Sequence, residues 1–128
     1  MRAVTWQGKR KVSVETVPDP GLQADTDAII EVTSTAICGS DLHLYEVLGP
    51  FMDPGDIIGH EPMGRVVEAG SASGLAVGDR VVVPFTIAYG RCWMCDRKLY
   101  SQCETTQVRE HGSGGALFGS SRLYGSVP

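Results

Sequence analysis

Residues 38–43 read Cys-Gly-Ser-Asp-Leu-His, and residues 59–64 read Gly-His-Glu-Pro-Met-Gly. These two segments bring a thiol, two imidazoles and two carboxylates into a short part of the chain. Zinc favours this mixture of sulfur, nitrogen and oxygen ligands, and a catalytic zinc site keeps one position open for water or substrate. We therefore predict that Cys38 and His60 begin a zinc site, with Glu61 beside them as a third ligand or a neighbouring base.

The residues that lead into the first segment predict a β-strand. Between residues 28 and 38 apolar side chains alternate with polar ones, and β-branched residues dominate, which favours a strand over a helix. One face of this strand carries Ala28, Ile30, Val32, Ala36 and Cys38. The period of two predicts that Cys38 faces inward at the end of the strand.

Further strands and one short helix are predicted around these segments. Val12 and Val14 alternate with polar residues until Pro18-Asp19-Pro20-Gly21 ends the strand, and residues 65–69 and 80–85 are two more strands. After Gly39, a short helix is expected, with Ser40 and Asp41 as its N-caps and an end near Gly49-Pro50. Its predicted apolar side consists of Leu42, Tyr45 and Leu48.

The composition agrees with a mainly β domain. The chain has 128 residues, which fits one domain over 1–128, and its 16 glycines and seven prolines favour short strands with many turns. The formal net charge is −4, and the longest basic run is Lys9-Arg10-Lys11, so the pattern of a nucleic-acid-binding surface is absent. No apolar run reaches the length of a membrane span. Four cysteines, three of them between residues 92 and 103, suit metal binding in a reducing cytoplasm better than disulfides.

The three segments 38–43, 59–64 and 78–81, the last reading Gly-Asp-Arg-Val, resemble the zinc-dependent medium-chain alcohol dehydrogenases. The resemblance covers essentially the whole chain, as the N-terminal GroES-like catalytic domain of that family. It is closest to the branch of glutathione-independent formaldehyde dehydrogenases, which carry a stretch similar to residues 101–108. It implies a partly open GroES-like β-barrel with short helices and a protruding lobe that carries cysteines.

The resemblance also implies roles for individual residues. Cys38 and His60 would bind the catalytic zinc, and Glu61 would exchange with the solvent ligand. Asp41 would hold His60, while Ser40 and His43 would pass the proton of an alcohol to bulk water. The implied reaction is oxidation of a small alcohol or aldehyde through a zinc-bound alkoxide, with NAD(P) as the hydride acceptor.

The cysteine lobe departs from the family pattern. Members often hold a structural zinc with four cysteines, and Cys92, Cys95 and Cys103 match the last three positions, whereas Tyr89 stands at the first. A phenol with a pKa near 10 is a poor zinc ligand beside thiolates. Either a side chain such as Asp96, Glu104 or His111 completes the site, or the three thiols hold no metal.

The expected nicotinamide site is missing from the sequence. The fingerprint Gly-x-Gly-x-x-Gly does not occur, since residues 112–115 read Gly-Ser-Gly-Gly and Leu117 stands where the third glycine belongs. We therefore expect a fragment or a truncated protein that is inactive alone. Its exposed interdomain face would favour homo-oligomers. The alternative is a stand-alone zinc-binding β-domain that acts as a binding or assembly module.

Overall fold

The computed structural model describes residues 1–106 together with 120–121 and 125–126. Within this part the protein is mainly β, as predicted, with two short α-helices and two 3-10 turns. The strands are β1 (Arg2–Gly8), β2 (Lys11–Thr16), β3 (Ala28–Thr35), β4 (Pro62–Ala69), β5 (Arg80–Val82), β6 (Ser120–Ser121) and β7 (Gly125–Ser126). The helices are α1 (Gly39–Glu46) and α2 (Trp93–Asp96), and the 3-10 turns are Gly49–Phe51 and Tyr100–Gln102.

Among the described strands all pairs are antiparallel, and they form three separate sheets. β1 pairs with β2, β3–β4–β5 form the largest sheet, and β6 pairs with β7. Within the residues described, these pairings do not close into a barrel. The predicted strand at Val12 and Val14 is confirmed as β2. The strand predicted over 65–69 begins earlier, at Pro62, and the one predicted over 80–85 ends earlier, at Val82.

The predicted position of Cys38 on the inward face of a strand is wrong. β3 ends at Thr35, and its register against β4 shifts twice, between Ile29 and Ile30 and again between Val32 and Ser34. Each β-bulge breaks the period of two on which the prediction rested. Val32 is accordingly 54% exposed, and Cys38 lies beyond the strand as the N-cap of α1.

The core is small and centres on helix α1. Trp6 of β1, Leu44 of α1 and Met52 pack together, and the partly buried Leu48 and Ile58 cover them. The predicted apolar side of the helix is wrong in part, because Leu44 is only 1% exposed whereas Leu42 is 62% exposed. Trp6 and Met52 both lie outside the helix, and the side of α1 that is buried is the one that packs against them.

The β1–β2 hairpin is tied to the end of helix α1. Its turn contains Arg10, a non-glycine residue in the left-handed region with a φ of 59°. The Arg10 backbone N–H donates to the carbonyl of Tyr45 at 2.8 Å, and its guanidinium donates to both carboxylate oxygens of Glu46 at 2.5 and 2.7 Å. Hydrogen bonding to Arg10 lowers the pKa of Glu46. The hairpin thereby fixes the helix that begins at the candidate site.

Many large apolar side chains of the described residues are exposed. The most exposed are Ile37, Val82, Val77, Leu42 and Val47, at 84, 70, 68, 62 and 62%. No helix of the described residues is long and apolar enough to cross a membrane.

Candidate metal centres

Antiparallel pairing brings Cys38 and His60, the two predicted zinc ligands, to the same end of strands β3 and β4. The last register pair of β3 and β4 is Thr35 with Pro62. Cys38 follows β3 by three residues and His60 precedes β4 by two, so both leave the sheet at the same end. The backbone N–H of Ala36 extends the pairing by donating to the carbonyl of Glu61 at 3.3 Å.

The segment before His60 is fixed by strand β1. The N–H of Ile58 donates to the carbonyl of Val4 at 3.0 Å, and the N–H of Trp6 donates to the carbonyl of Asp56 at 2.8 Å. Gly59 then turns the chain with a φ of 110°, a value that L side chains rarely adopt. This turn directs His60 into the protein, where the residue is 3% exposed.

Three polar atoms converge where the two segments meet. The Cys38 Sγ lies 3.0 Å from the His60 Nε2, and the Ser40 Oγ lies 2.7 Å from the sulfur and 3.0 Å from the same nitrogen. The Cys38 sulfur also accepts the backbone N–H of Ser40 at 3.3 Å. A sulfur, a ring nitrogen and a hydroxyl therefore face one point.

Asp41 supports both Cys38 and His60 from behind. Its Oδ2 accepts the backbone N–H of Cys38 at 2.9 Å, which together with the sulfur bond forms a capping box at the start of α1. Its Oδ1 lies 3.2 Å from the His60 Nδ1. The imidazole thus directs Nε2 toward the sulfur and Nδ1 toward a carboxylate.

These residues fit a zinc ion. The ligand atoms of Cys38, Asp41 and His60 all lie within 4.8 Å of one another, and thiolate, imidazole and carboxylate are donors that zinc accepts. A carboxylate on the second nitrogen is also the usual support of a metal-binding histidine.

The other two predicted site residues lie outside this cluster. Glu61 is exposed and is not among the clustered ligand atoms, although its carbonyl accepts the N–H of Ala36 and, at 3.4 Å, the hydroxyl of Thr35. His43 is exposed on the last turn of α1. The structure therefore brings together Cys38, Ser40, Asp41 and His60 of the predicted set.

A second cluster lies in the lobe around helix α2. The Cys92 Sγ is 3.4 Å from the Cys95 Sγ and 3.8 Å from the Cys103 Sγ, and Cys95 and Cys103 are buried. The Arg97 guanidinium carbon lies 3.7 Å from the centroid of the Trp93 ring, and the guanidinium donates to the backbone carbonyl of Trp93 at 3.0 Å. Both contacts stabilise this one-turn helix.

The thiols of this cluster differ in acidity. Burial opposes ionisation of Cys103, but hydrogen bonds from Thr106 and from the backbone N–H of Tyr89 outweigh it and lower the pKa of Cys103 to about 6. The backbone N–H of Cys95 lowers the pKa of Cys92, whereas burial raises the pKa of Cys95. The cluster therefore contains a readily ionised sulfur.

A closed zinc site with four protein ligands does not fit the described part of the lobe. Tyr89 is 53% exposed and contributes only its backbone N–H, which donates to the Cys103 Sγ at 3.3 Å. Asp96 and Glu104 are exposed and do not join the clustered ligand atoms. His111 and the glycine-rich residues 112–117 lie outside the described residues.

Comparison with known proteins identifies the family. The profile of the alcohol dehydrogenase GroES-like domain matches residues 24–128. The chain belongs to the zinc-type alcohol dehydrogenase family. The resemblance based on residues 38–43, 59–64 and 78–81 is thereby confirmed, and so is the mainly β, GroES-like fold.

Individual relatives of this GroES-like domain agree with the profile. The zinc-type alcohol dehydrogenase-like protein AdhB of Bacillus subtilis is 51% identical over 129 residues, and the formaldehyde dismutase of Pseudomonas putida is 42% identical over 123 residues. They are matched over 100% and 91% of this chain but over only 34% and 30% of their own length. The chain thus spans about a third of the length of these relatives.

A solved structure gives the same result for the fold. The alcohol dehydrogenase TADH from Thermus sp. ATN1 is 40% identical and superimposes with a TM-score of 0.84 over 99% of this chain and 34% of its own. The chain therefore has the fold of the matched third of a solved alcohol dehydrogenase.

The sequence did not predict one residue that contacts the Cys38–His60 cluster. The ring centroid of Phe85 lies 4.8 Å from that of His60, and the two ring planes are tilted by 53°. The sequence placed Phe85 in a strand, but β5 ends at Val82 and the chain then bends toward His60. The available signal was Pro84, which favours the end of a strand.

Proposed function

We propose that this chain is the zinc-binding catalytic domain of an NAD(P)-dependent alcohol or aldehyde dehydrogenase. The observation that carries the proposal is the 3.0 Å approach of the Cys38 Sγ to the His60 Nε2, with Asp41 at the opposite ring nitrogen. A metal-binding imidazole needs one nitrogen for the metal and a carboxylate or carbonyl on the other. The names of the relatives, which are zinc-type alcohol dehydrogenases and a formaldehyde dismutase, support the same chemistry here.

The zinc ligands that we propose are Cys38, His60 and Glu61. Zinc, when bound, acts as a Lewis acid that lowers the pKa of a hydroxyl group at its open position. Asp41 is engaged by the N–H of Cys38 and lies against His60, so we assign it the task of orienting both residues. Glu61 directly follows His60 and is exposed, which suits a ligand that exchanges with solvent.

Ser40 and His43 are suited to remove the proton of the substrate. The Ser40 Oγ lies within 3.0 Å of both Cys38 and His60, so an alcohol held at this point would reach its hydroxyl. His43 follows three residues later on helix α1, and side chains at this spacing lie on the same side of a helix. Because His43 is exposed, it can pass the proton to water.

The hydride acceptor must come from elsewhere. No Gly-x-Gly-x-x-Gly occurs in this sequence, so we propose that NAD(P) binds a further domain of a longer enzyme and that the 128-residue chain alone does not turn over alcohol. The exposed apolar side chains, with Ile37 at 84%, support contact with such a domain or self-association of the isolated chain. Size-exclusion chromatography of the purified chain tests the self-association.

Cobalt titration tests the proposed ligands. Co²⁺ substitutes for zinc and shows a sulfur-to-metal charge-transfer band when a thiolate binds it. The Cys38→Ser and His60→Ala variants should each lose about one tightly bound cobalt, because a catalytic site retains only three protein ligands. His43→Ala is the matched control, since it removes an imidazole that is outside the ligand cluster, and its titration should follow the wild type.

The proposal fails if cobalt stoichiometry and affinity are the same in His60→Ala as in the wild type. It also fails if His43→Ala loses the metal and His60→Ala keeps it. Circular dichroism of each variant distinguishes loss of a ligand from loss of the fold.

A further inference from the structure

We propose that Cys92, Cys95 and Cys103 form an open three-thiolate site that binds monovalent copper in preference to zinc. The site is separate from the Cys38–His60 centre and does not depend on the proposed dehydrogenase activity. The proposal rests on the number of ligands: the described residues of this lobe bring together three thiols, whereas a closed zinc site has four protein ligands.

The sulfur atoms are already at the spacing of metal ligands. The two measured separations from the Cys92 Sγ are 3.4 and 3.8 Å. Sulfurs that share a metal through bonds of about 2.3 Å lie about 3.8 Å apart in a tetrahedron and about 4.0 Å apart in a trigonal plane, so this spacing suits a shared metal ion in either geometry. Cys95 and Cys103 are 3 and 0% exposed, so an ion at this point is shielded from water on two sides.

The fourth side of the cluster has no side-chain ligand in the described residues. Tyr89 directs its backbone N–H at the Cys103 Sγ at 3.3 Å and leaves its phenol 53% exposed. Asp96 and Glu104 are exposed and lie outside the set of ligand atoms that are within 4.8 Å of one another. A backbone N–H cannot bind a cation, so the one contact of Tyr89 with the cluster supplies no ligand.

Three thiolates without a fourth ligand favour a soft ion of low coordination number. Structural zinc is almost always four-coordinate, whereas thiolates select monovalent copper among soft ions. Copper(I) is satisfied by three sulfurs in a plane. Binding is a ligand exchange with no change of oxidation state: each sulfur that is still protonated releases its proton to solvent, one Cu–S bond forms per sulfur, and the ligand that delivered the copper(I) leaves.

Competition titrations on the whole chain test this site. Every protein carries Cys38→Ser, so that the other thiolate centre makes no contribution. Copper(I) is supplied anaerobically as its coloured bicinchoninate complex, and zinc is supplied with a chromogenic chelator. Tyr89→Cys completes four thiolates, and Tyr89→Ser is its matched control because serine has nearly the same size but no thiolate.

We expect the protein with Tyr89 intact and the Tyr89→Ser protein each to take one copper(I) ion from bicinchoninate. The Cys103→Ser protein should not take this ion. We expect Tyr89→Cys to raise zinc affinity about 100-fold or more over Tyr89→Ser, since even the loss of a supporting group around a metal costs 10–100-fold. Copper affinity should change far less between these two variants.

The proposal is overturned if Tyr89→Cys binds zinc no more tightly than Tyr89→Ser, because a fourth protein ligand is then already present. His111→Ala would show whether that ligand is His111. It is also overturned if Cys103→Ser removes as much copper as the parent. If Cys103→Ser does not fold, the comparison of Tyr89→Cys with Tyr89→Ser tests the proposal by itself. Both variants should fold, because the Tyr89 side chain that they replace is half-exposed.

Discussion

Replacing Gly64 with alanine should separate strands β3 and β4 and weaken the metal site at their ends. A Cβ at position 64 would lie 2.2 Å from the carbonyl oxygen of Glu31 and 2.9 Å from its carbonyl carbon. Both atoms belong to the backbone, so no side-chain rotation relieves the contact. Ordinary van der Waals contact begins at 3.4 Å, so the strands must move apart by about 1 Å.

The expected cost follows from this displacement. Overpacking in a well-packed region costs about 1–3 kcal/mol, and each strained ladder hydrogen bond adds about 1 kcal/mol. Alanine returns about 0.4–1 kcal/mol by restricting the unfolded chain. We therefore expect Gly64→Ala to lower the free energy of unfolding by about 2–3 kcal/mol, a large part of the 5–15 kcal/mol of a typical domain.

Urea unfolding of the metal-depleted protein measures this change, with fluorescence of the buried Trp6 as the signal. Gly21→Ala is the matched control, because a Cβ there meets nothing within 4 Å and the φ of Gly21 is not in the left-handed region. Zinc affinity should fall in Gly64→Ala and stay unchanged in Gly21→Ala. A Gly64→Ala protein that unfolds within about 0.5 kcal/mol of the wild type, the usual range of a neutral surface change, would refute the steric reasoning.

Three further predictions concern the core, the support of His60 and the thiol cluster. Leu44→Ala should cost about 2–5 kcal/mol of unfolding free energy and Leu42→Ala less than about 0.5, because only Leu44 is buried, and equal urea midpoints for the two variants would contradict this core. Asp41→Asn should weaken zinc binding about 10–100-fold with stoichiometry retained, and an affinity equal to the wild type in a chelator competition would rule out its orienting role. The lowered pKa of Cys103, about 6, means that this thiol stabilises the metal-depleted protein fully above its unfolded pKa and loses that effect as the pH falls through 6. The free energy of unfolding should therefore rise from pH 6 to 9, and a rise of the same size in Cys103→Ser would assign the effect to other groups.

The sequence predicted the members of the site better than their geometry. Cys38 and His60 could be selected because their types match zinc chemistry, and Ser40 and Asp41 because the family resemblance implies roles for them. The structure brings these four together. Glu61 was selected by its position next to His60; it is exposed and lies outside the clustered ligand atoms, so its role as a zinc ligand stays a prediction. The side chain that joins the cluster is Asp41, which reaches it through the capping box.

The errors in the fold have a common physical origin. Pattern reasoning assumes an uninterrupted period, and the two bulges in β3 interrupt it before Cys38. The buried side of α1 and the contact of Phe85 with His60 depend on residues outside the segment itself, Trp6 and Met52 in one case and the bend after β5 in the other. Periodicity within one segment carries no information on such partners.

The Cys38 sulfur also couples the first turn of α1 to the state of the metal site. The same sulfur that faces His60 accepts the N–H of Ser40 at 3.3 Å. A thiolate accepts a hydrogen bond more strongly than a thiol, so ionisation of the sulfur tightens the start of the helix. The amide proton of Ser40 should then exchange with deuterium more slowly and resonate at a different frequency. A single backbone amide thereby records the state of the metal site without any measurement of turnover.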